Sequence, residues 1–407
     1  MKDGSVNIEI VPNKLFWVCD RTPPVKKGCS YFTIENVMNI QKLVYTAYAQ
    51  DFGPLNLAMI TQYLQDLNTM LGNPKLESTK LYHYTPLHPE KKLNSGLLIG
   101  IYQMIYLGKS AEEVNSSLTS VTTFISYCDA SNPKSCFPLT LLDCLSGLFK
   151  ALSKNWYNPT TFSIPTYQLN STVETGGFNW IIPNKIIAFN CPGSDSKPQN
   201  GLKPLTPEGY SSLFSSLGVN TVVRLSKKTY DLERFKTSGF NFYDLYFIDG
   251  SVPNLQIVKS FIRICENEGI VAVHCKAGLG RTGTLIGCYA MKHFGFSASE
   301  FIAWARFCRP GSVLGPQQEF LVSIEKSCWA WGEEFRNGEI KESEDLTEEN
   351  KLEMPAIEPE LKLKSKFGEY KQGERLAGQP KSSTFKPSAA VLSKWKIAKK
   401  EVYNKSK

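Results

Sequence analysis

The stretch "AVHCKAGLGRTGTL", residues 272 to 285, decides how this chain is read. It passes from an apolar strand end through a glycine-dotted loop into the start of a helix, and its cysteine, Cys275, precedes its arginine, Arg281, by six positions. The preceding "IVAVHC" is apolar at consecutive positions, as a central strand buried on both faces must be. Open α/β sheets bind ligands beyond the carboxyl ends of their strands, and Cys275 stands at such an end. The loop Lys276, Ala277, Gly278, Leu279, Gly280 and Arg281 is therefore expected to turn its backbone N–H groups toward one point, with Gly278 and Gly280 permitting positive φ. A helix beginning near Arg281 adds its positive end to the same point. Such donors hold a cysteine as thiolate and equally hold phosphoryl oxygens, to which Arg281 adds a bidentate pair. Thr282 can give its hydroxyl to the thiolate, and His274 supports the loop as a hydrogen-bonding residue.

A thiolate nucleophile needs an acid for the departing oxygen. Asp249, in "YFIDGSVPN", follows a strand and precedes Gly250 on a loop ahead of the catalytic strand, which makes it the candidate. The chemistry then needs no metal and no cofactor, because Arg281 and the backbone donors carry the charge of the phosphoryl oxygens. Gln317 and Gln318, in "GPQQEF", open a helix after a proline, and two roles compete for them: helix capping and positioning of a water.

Working outward from the loop, strands "KIIAFN", "NTVVRL", "NFYDLYF" and "IVAVHC" alternate with helices near 207–216, 230–238 and 253–266, and three more helices run to about Phe335. That alternation predicts an α/β fold with a mostly parallel sheet covered by helices on both faces. An echo lies upstream. "GLLIGIYQMIYLGKSAEEV" from Gly96 overlays "GTLIGCYAMKHFGFSASEF" from Gly283 without a gap, with ten of nineteen positions identical. Each reads as a helix, a glycine stop and a Ser-Ala start to a second helix, so a duplicated α/β unit is expected. Ahead of Gly96 the sequence "KLYHYTPLHPEKKLNS" has no cysteine, so the first copy is expected to be inactive. The expected organisation is a non-catalytic domain over 1–150, a polar linker over 151–180, a catalytic domain over 181–335 and a charged, disordered tail over 336–407, with order beginning at about Lys14.

Composition narrows the class. The 407 residues carry a formal charge of +8 and no apolar run long enough to span a bilayer, so no membrane partner is expected. The first twenty residues lack the apolar core of a secretory signal. Eleven cysteines without C-x-x-C pairs predict reduced thiols, not a disulfide framework or a zinc site. Residues 331–360 hold three basic and eleven acidic side chains, and 361–407 hold thirteen basic and three acidic. This acidic block followed by a basic block is expected to be a solvated, disordered tail; the alternative is a docking tail, for which Trp395 in "LSKWKIAKK" is a weak signal, and the aromatic interleaving of a nucleic-acid binder is lacking.

Taken with "DFGPLNLAM" at 51, "DAS" at 129, "LTLLDCLSGL" at 139, "GGFNWIIPNKIIAF" at 176, "FIDGSVPN" at 247 and "CRPGSVLGPQQEFL" at 308, the loop resembles the mitotic-exit dual-specificity phosphatases, the cell-division-cycle-fourteen family. The resemblance covers about residues 15–330. It implies two tandem dual-specificity-phosphatase-like domains joined by a helical linker, the first without catalytic residues. It implies Cys275 as nucleophile, Arg281 as phosphate binder and Asp249 as general acid. It further implies phosphorylated protein substrates with phosphoserine-proline sites made by cyclin-dependent kinases, a cell-cycle role, and residence in nucleus and cytoplasm with centrosome, basal body or spindle as further sites. Family members place several acidic residues in the linker as a groove for a basic substrate residue. Here 155–180 keeps only Glu174, with Asp129 as a further groove candidate, which predicts weak discrimination for that basic residue. Two other functions compete: a phosphoinositide phosphatase, disfavoured because Leu279 stands where such enzymes favour lysine, and a non-catalytic phosphoprotein-binding module.

Overall fold

The computed structural model describes residues 5–25, 27–35, 43–131, 137–194 and 204–338. Its first half opens with a hairpin of β1 (Val6–Val11) and β2 (Leu15–Asp20), turned at Asn13, whose φ of 56° suits the side chain's tolerance of left-handed backbone. β3 (Cys29–Phe32), α1 (Leu57–Leu71), β4 (Lys80–Pro86), α2 (Pro89–Leu107), α3 (Ala111–Thr119) and α4 (Leu141–Ser153) follow. The sheet order is β1-β2-β4-β3, antiparallel only at the hairpin. Order thus begins before the expected Lys14. In β1 the exposed Asn7 and Glu9 alternate with apolar residues, a short signal beside the longer apolar runs that follow.

A short helix, α5 (Ile164–Asn170), lies in the linker. The second half contains β5 (Asn179–Ile182), β6 (Ile186–Phe189), α6 (Pro207–Ser216), β7 (Val219–Arg224), α7 (Glu233–Lys236), β8 (Asn241–Asp244), α8 (Leu255–Asn267), β9 (Ile270–His274), α9 (Gly280–Phe294), α10 (Ala298–Cys308) and α11 (Pro316–Arg336). The order β5-β6-β9-β7-β8 puts β9 at the centre, parallel to both neighbours, with only β5 antiparallel. Where a helix was expected over 230–238 only the four-residue α7 forms, ended by the turn at Gly239 (φ 84°).

The echo is structural as well as textual. α2 and α9 each end at a left-handed glycine, Gly108 (φ 67°) and Gly295 (φ 65°). Each is followed by a full capping box, Ser110 with Glu113 and Ser297 with Glu300, which satisfies the first amides of the next helix. The matched glycines inside the helices serve one packing purpose. A Cβ on Gly100 would lie 3.1 Å from Leu145, and one on Gly287 would lie 3.0 Å from Leu321, so in each half the last helix seats tightly on its partner.

One continuous apolar core runs through both halves, and a second cluster around Phe189, Phe214 and Phe235 belongs to the second half alone. α4 packs directly on α10: a Cβ on Gly147 would fall 2.4 Å from the Glu300 carbonyl oxygen, so the helix backbones touch there. Lys150 seals the contact by donating to Glu300 Oε2 at 2.8 Å and to the Gly295 carbonyl at 2.5 Å. Nine described cysteines are free, but Cys128 is disulfide-bonded, a correction to the expectation of reduced thiols throughout. The expected charged tail and Trp395 lie outside the described residues, apart from 336–338.

Candidate active site

The loop after β9 is shaped by what its carbonyl groups are given. The Cys275 carbonyl accepts from His274 Nδ1 at 2.9 Å, and the Lys276 carbonyl from the Cys191 amide at 3.0 Å. Arg309 takes the next two, donating from Nη2 to Ala277 and from Nε to Gly278, both at 2.8 Å. The Leu279 carbonyl accepts from the Gly283 amide at 3.0 Å, which starts α9. A trans peptide points its N–H opposite to its C=O. With every carbonyl from 275 to 279 engaged outward, the amides of 276 to 280 face the inside of the turn, as an anion site requires.

Glycines make that turn in two different ways. Gly278 has φ 67°, and a Cβ there would sit 2.1 Å from the Phe189 carbonyl oxygen, so only glycine fits. Gly280 does not take positive φ, contrary to the sequence expectation. Its bare α-carbon makes room for Gln317 instead, whose Oε1 would lie 2.7 Å from an added Cβ. Leu279 points away into a small apolar cluster with Tyr48, Ala130, Ala277 and Leu314, two of which belong to the first half.

Cys275 is buried, and burial alone pushes a thiol up. The Arg281 charge and hydrogen bonds from Thr282 outweigh both that and the opposing charge of Asp249, so its pKa falls below the ordinary 9.0. Thr282 Oγ1 is buried with no hydrogen-bond partner among the described residues, so its hydroxyl is available to turn to the Cys275 sulfur whose pKa it lowers. Arg281 is anchored through Nη1 to the carbonyls of Leu225 (3.1 Å) and Phe247 (3.0 Å), and its Nη2 meets Asp249 Oδ1 at 3.0 Å. Its Nε is buried without a partner among the described residues. A buried guanidinium donor left unmatched is costly unless a ligand oxygen completes it.

His274 is held neutral: burial lowers its pKa to about 3. With Nδ1 donating to the Cys275 carbonyl, Nε2 must accept, and it does so from the Tyr230 hydroxyl at 2.6 Å. The ring thus joins the loop to Tyr230 by hydrogen bonds. Of the glutamine pair, Gln317 reaches into the site. Its Nε2 donates to the Ser251 carbonyl on the Asp249 loop at 3.1 Å, and its Oε1 accepts from the Leu314 amide at 3.2 Å. Gln318 turns the other way and binds Arg306 Nη2 (2.7 Å) and Asp129 Oδ2 (3.0 Å).

Asp129 is the clear correction. It is not a groove residue: it is 4% exposed, and its carboxylate accepts from the Gly315 amide (2.5 Å), Gln318 and the Ser131 hydroxyl (2.5 Å). Glu174 is exposed beside the linker helix and remains the acidic residue of 155–180. Arg309, quoted in "CRPG" but assigned no role from sequence, proves to organise the loop. Besides its two loop carbonyls it donates from Nη1 to Gly177 and Asn179 and from Nη2 to Asn190, so it ties the turn to the linker end.

Comparison with known proteins agrees with this geometry. The model of the dual specificity protein phosphatase N-terminal half matches residues 9–151, and that of the dual specificity phosphatase catalytic domain matches 213–326. The fold and site thus define a dual-specificity-phosphatase architecture in two tandem halves. Dual specificity protein phosphatase CDC14A of Mus musculus is 45% identical over 333 residues, covering 81% of this chain and 54% of that protein. CDC14B of Mus musculus is 40% identical over 362 residues, covering 86% and 74%, and CDC14C of Homo sapiens is 42% identical over 333 residues, covering 81% and 73%. The chain belongs to the CDC14 family of dual specificity protein phosphatases. It spans about half the length of the CDC14A proteins it matches.

Proposed function

We propose that this protein is a metal-independent protein phosphatase that works through a cysteinyl-phosphate. The observation that carries the reading is the buried Arg281 Nε, without a partner among the described residues, beside a thiol whose pKa is lowered. In the resting site Asp249 occupies one prong of the Arg281 fork. A substrate phosphoryl group takes that prong and Nε together, and Asp249, released from Arg281, takes up a proton and turns to the leaving oxygen. Cys275 Sγ attacks phosphorus, the P–O ester bond breaks, and Asp249 delivers a proton to the alcohol. Asp249 then takes a proton from a water held by Gln317. That oxygen attacks phosphorus, the S–P bond breaks, and inorganic phosphate leaves the restored thiolate.

The substrates proposed are phosphoserine and phosphothreonine proteins, with preference for phosphoserine-proline sites of cyclin-dependent kinases, and phosphotyrosine. The role proposed is in cell division, with residence in nucleus and cytoplasm and at centrosome, basal body or spindle. Resemblance to the family supports these. The buried Leu279 supports a single phosphate in place of a polyphosphate headgroup, because no cation stands at that place in the loop. With Asp129 sealed between the halves and Glu174 alone in the linker, a basic residue after the proline gains little. Matched phosphoserine-proline peptides with Lys or Ala at that place should differ in kcat/KM by less than about tenfold; a much larger loss with Ala contradicts weak discrimination. The activity itself is tested by phosphate release from such a peptide, expected of the wild type and absent in Cys275→Ser.

A further inference from the structure

Resting on the phosphatase reading, we propose that Asp129 of the first half is a positioning residue for the hydrolytic step, acting through the 312–318 turn on Gln317. Residue 129 lies within the stretch matched by the N-terminal-half model, yet its long-range partners are both in the catalytic half. Oδ2 accepts from the Gly315 amide, at the N-cap of α11, and from Gln318 Nε2. Gln318 passes the contact on, since its Oε1 accepts from Arg306 Nη2. Arg306, 2% exposed, also holds the carbonyls of Ser312 (3.1 Å) and Val313 (3.2 Å). The carboxylate and guanidinium thus grip the turn from two sides with an amide between them.

The turn needs that grip. Val313 is β-branched and stands at φ 59°, a conformation such residues avoid, and Gly315 follows at φ 53°. Leu314, between them, packs against Leu279 of the phosphate loop, and its amide donates to Gln317 Oε1. Gln317 therefore has one end fixed on the turn and the other on Ser251 of the acid loop, lying across Gly280. Its amide is where a water attacking the cysteinyl-phosphate would be met. Among the described residues no hydrogen bond or ion pair links Asp129 to Cys275 or Arg281 directly, so attack by the thiolate should not feel its loss.

The test separates the two half-reactions in the full-length protein. Rapid-quench kinetics with para-nitrophenyl phosphate give phosphoenzyme formation from the first turnover, and acid-trapped Cys275 phosphate gives its breakdown. Asp129→Ala removes the one oxygen that accepts from both Gly315 and Gln318 and should slow breakdown by roughly tenfold or more, with phosphoenzyme accumulating and formation changed less than about twofold. Gln317→Ala should show the same partition, and Asp129→Ala should add little on that background. Asp129→Asn keeps a carbonyl oxygen for both N–H groups and should recover most of the breakdown rate lost in Asp129→Ala. If Asp129→Ala does not fold, Asp129→Glu, which keeps the charge and overreaches, should show the same partition to a smaller extent. Equal slowing of both steps, unchanged breakdown, or no recovery in Asp129→Asn overturns the assignment. A wild type that releases no phosphate instead overturns the phosphatase reading beneath it.

Discussion

Cys275 and its neighbours were legible because the chemistry is local: nucleophile, glycines and arginine fall in one loop whose spacing alone places them. Arg309 and Asp129 were not, since their partners are chosen by tertiary packing and nothing in "CRPG" or "DAS" says which carbonyls or amides they will meet. The thiol makes a titration prediction. Burial raises its pKa but Arg281 with Thr282 lowers it by more, so iodoacetate alkylation should have a midpoint below 9.0. In Arg281→Ala, with the charge gone and burial kept, the midpoint should move up; an unmoved midpoint removes Arg281 as the cause. His274 predicts a pH dependence of stability. Its folded pKa is about 3 against an ordinary 6.5, so between those values the unfolded chain binds a proton that the folded chain refuses. Stability should be full above about pH 6.5 and fall toward pH 3, on the order of several kcal/mol across that window, shared with His83, which burial also holds at about 3. Urea midpoints that stay flat down to about pH 4 contradict buried neutral histidines.

At the scale of elements, the alternation of apolar runs with capped helices is enough to place β6, β7, β9, α6 and α8, and the Gly96 echo is enough to match α2 with α9. Elements with little periodic signal were misread: the six-residue β1 lies before the expected start of order, and α7 forms only four residues of the helix expected over 230–238. The glycines also divide by purpose only in three dimensions: Gly278 is demanded by φ and by the Phe189 carbonyl, Gly280 by Gln317. Gly278→Ala should fold yet lose at least about a hundredfold in kcat/KM, because the loop must shift by an ångström or more to relieve the clash. Activity within a few-fold of wild type contradicts the loop geometry. Gly147→Ala places a methyl against the Glu300 backbone and should cost about 1–3 kcal/mol by thermal or urea unfolding, since helix backbone gives less readily than a side chain.

At the scale of the molecule, the tandem organisation was legible, but its consequence was not. One apolar core runs through both halves, and first-half residues Tyr48, Ala130 and Asp129 close the back of the catalytic loop and turn. The proposed catalytic residues thus lie in one half and part of their support in the other, so residues 155–338 expressed alone should expose the α10 face and lose cooperative unfolding; a cooperatively folded, fully active fragment contradicts a shared core. The central claim, covalent catalysis by Cys275, is tested most directly by quenching the full-length enzyme in acid during turnover of a phosphoserine-proline peptide and mapping the phosphoryl group by mass spectrometry. The account predicts phosphate on the peptide holding Cys275, and neither adduct nor phosphate release in Cys275→Ser. Phosphate release that persists in Cys275→Ser, or a phosphoryl group mapped to another residue, would contradict it.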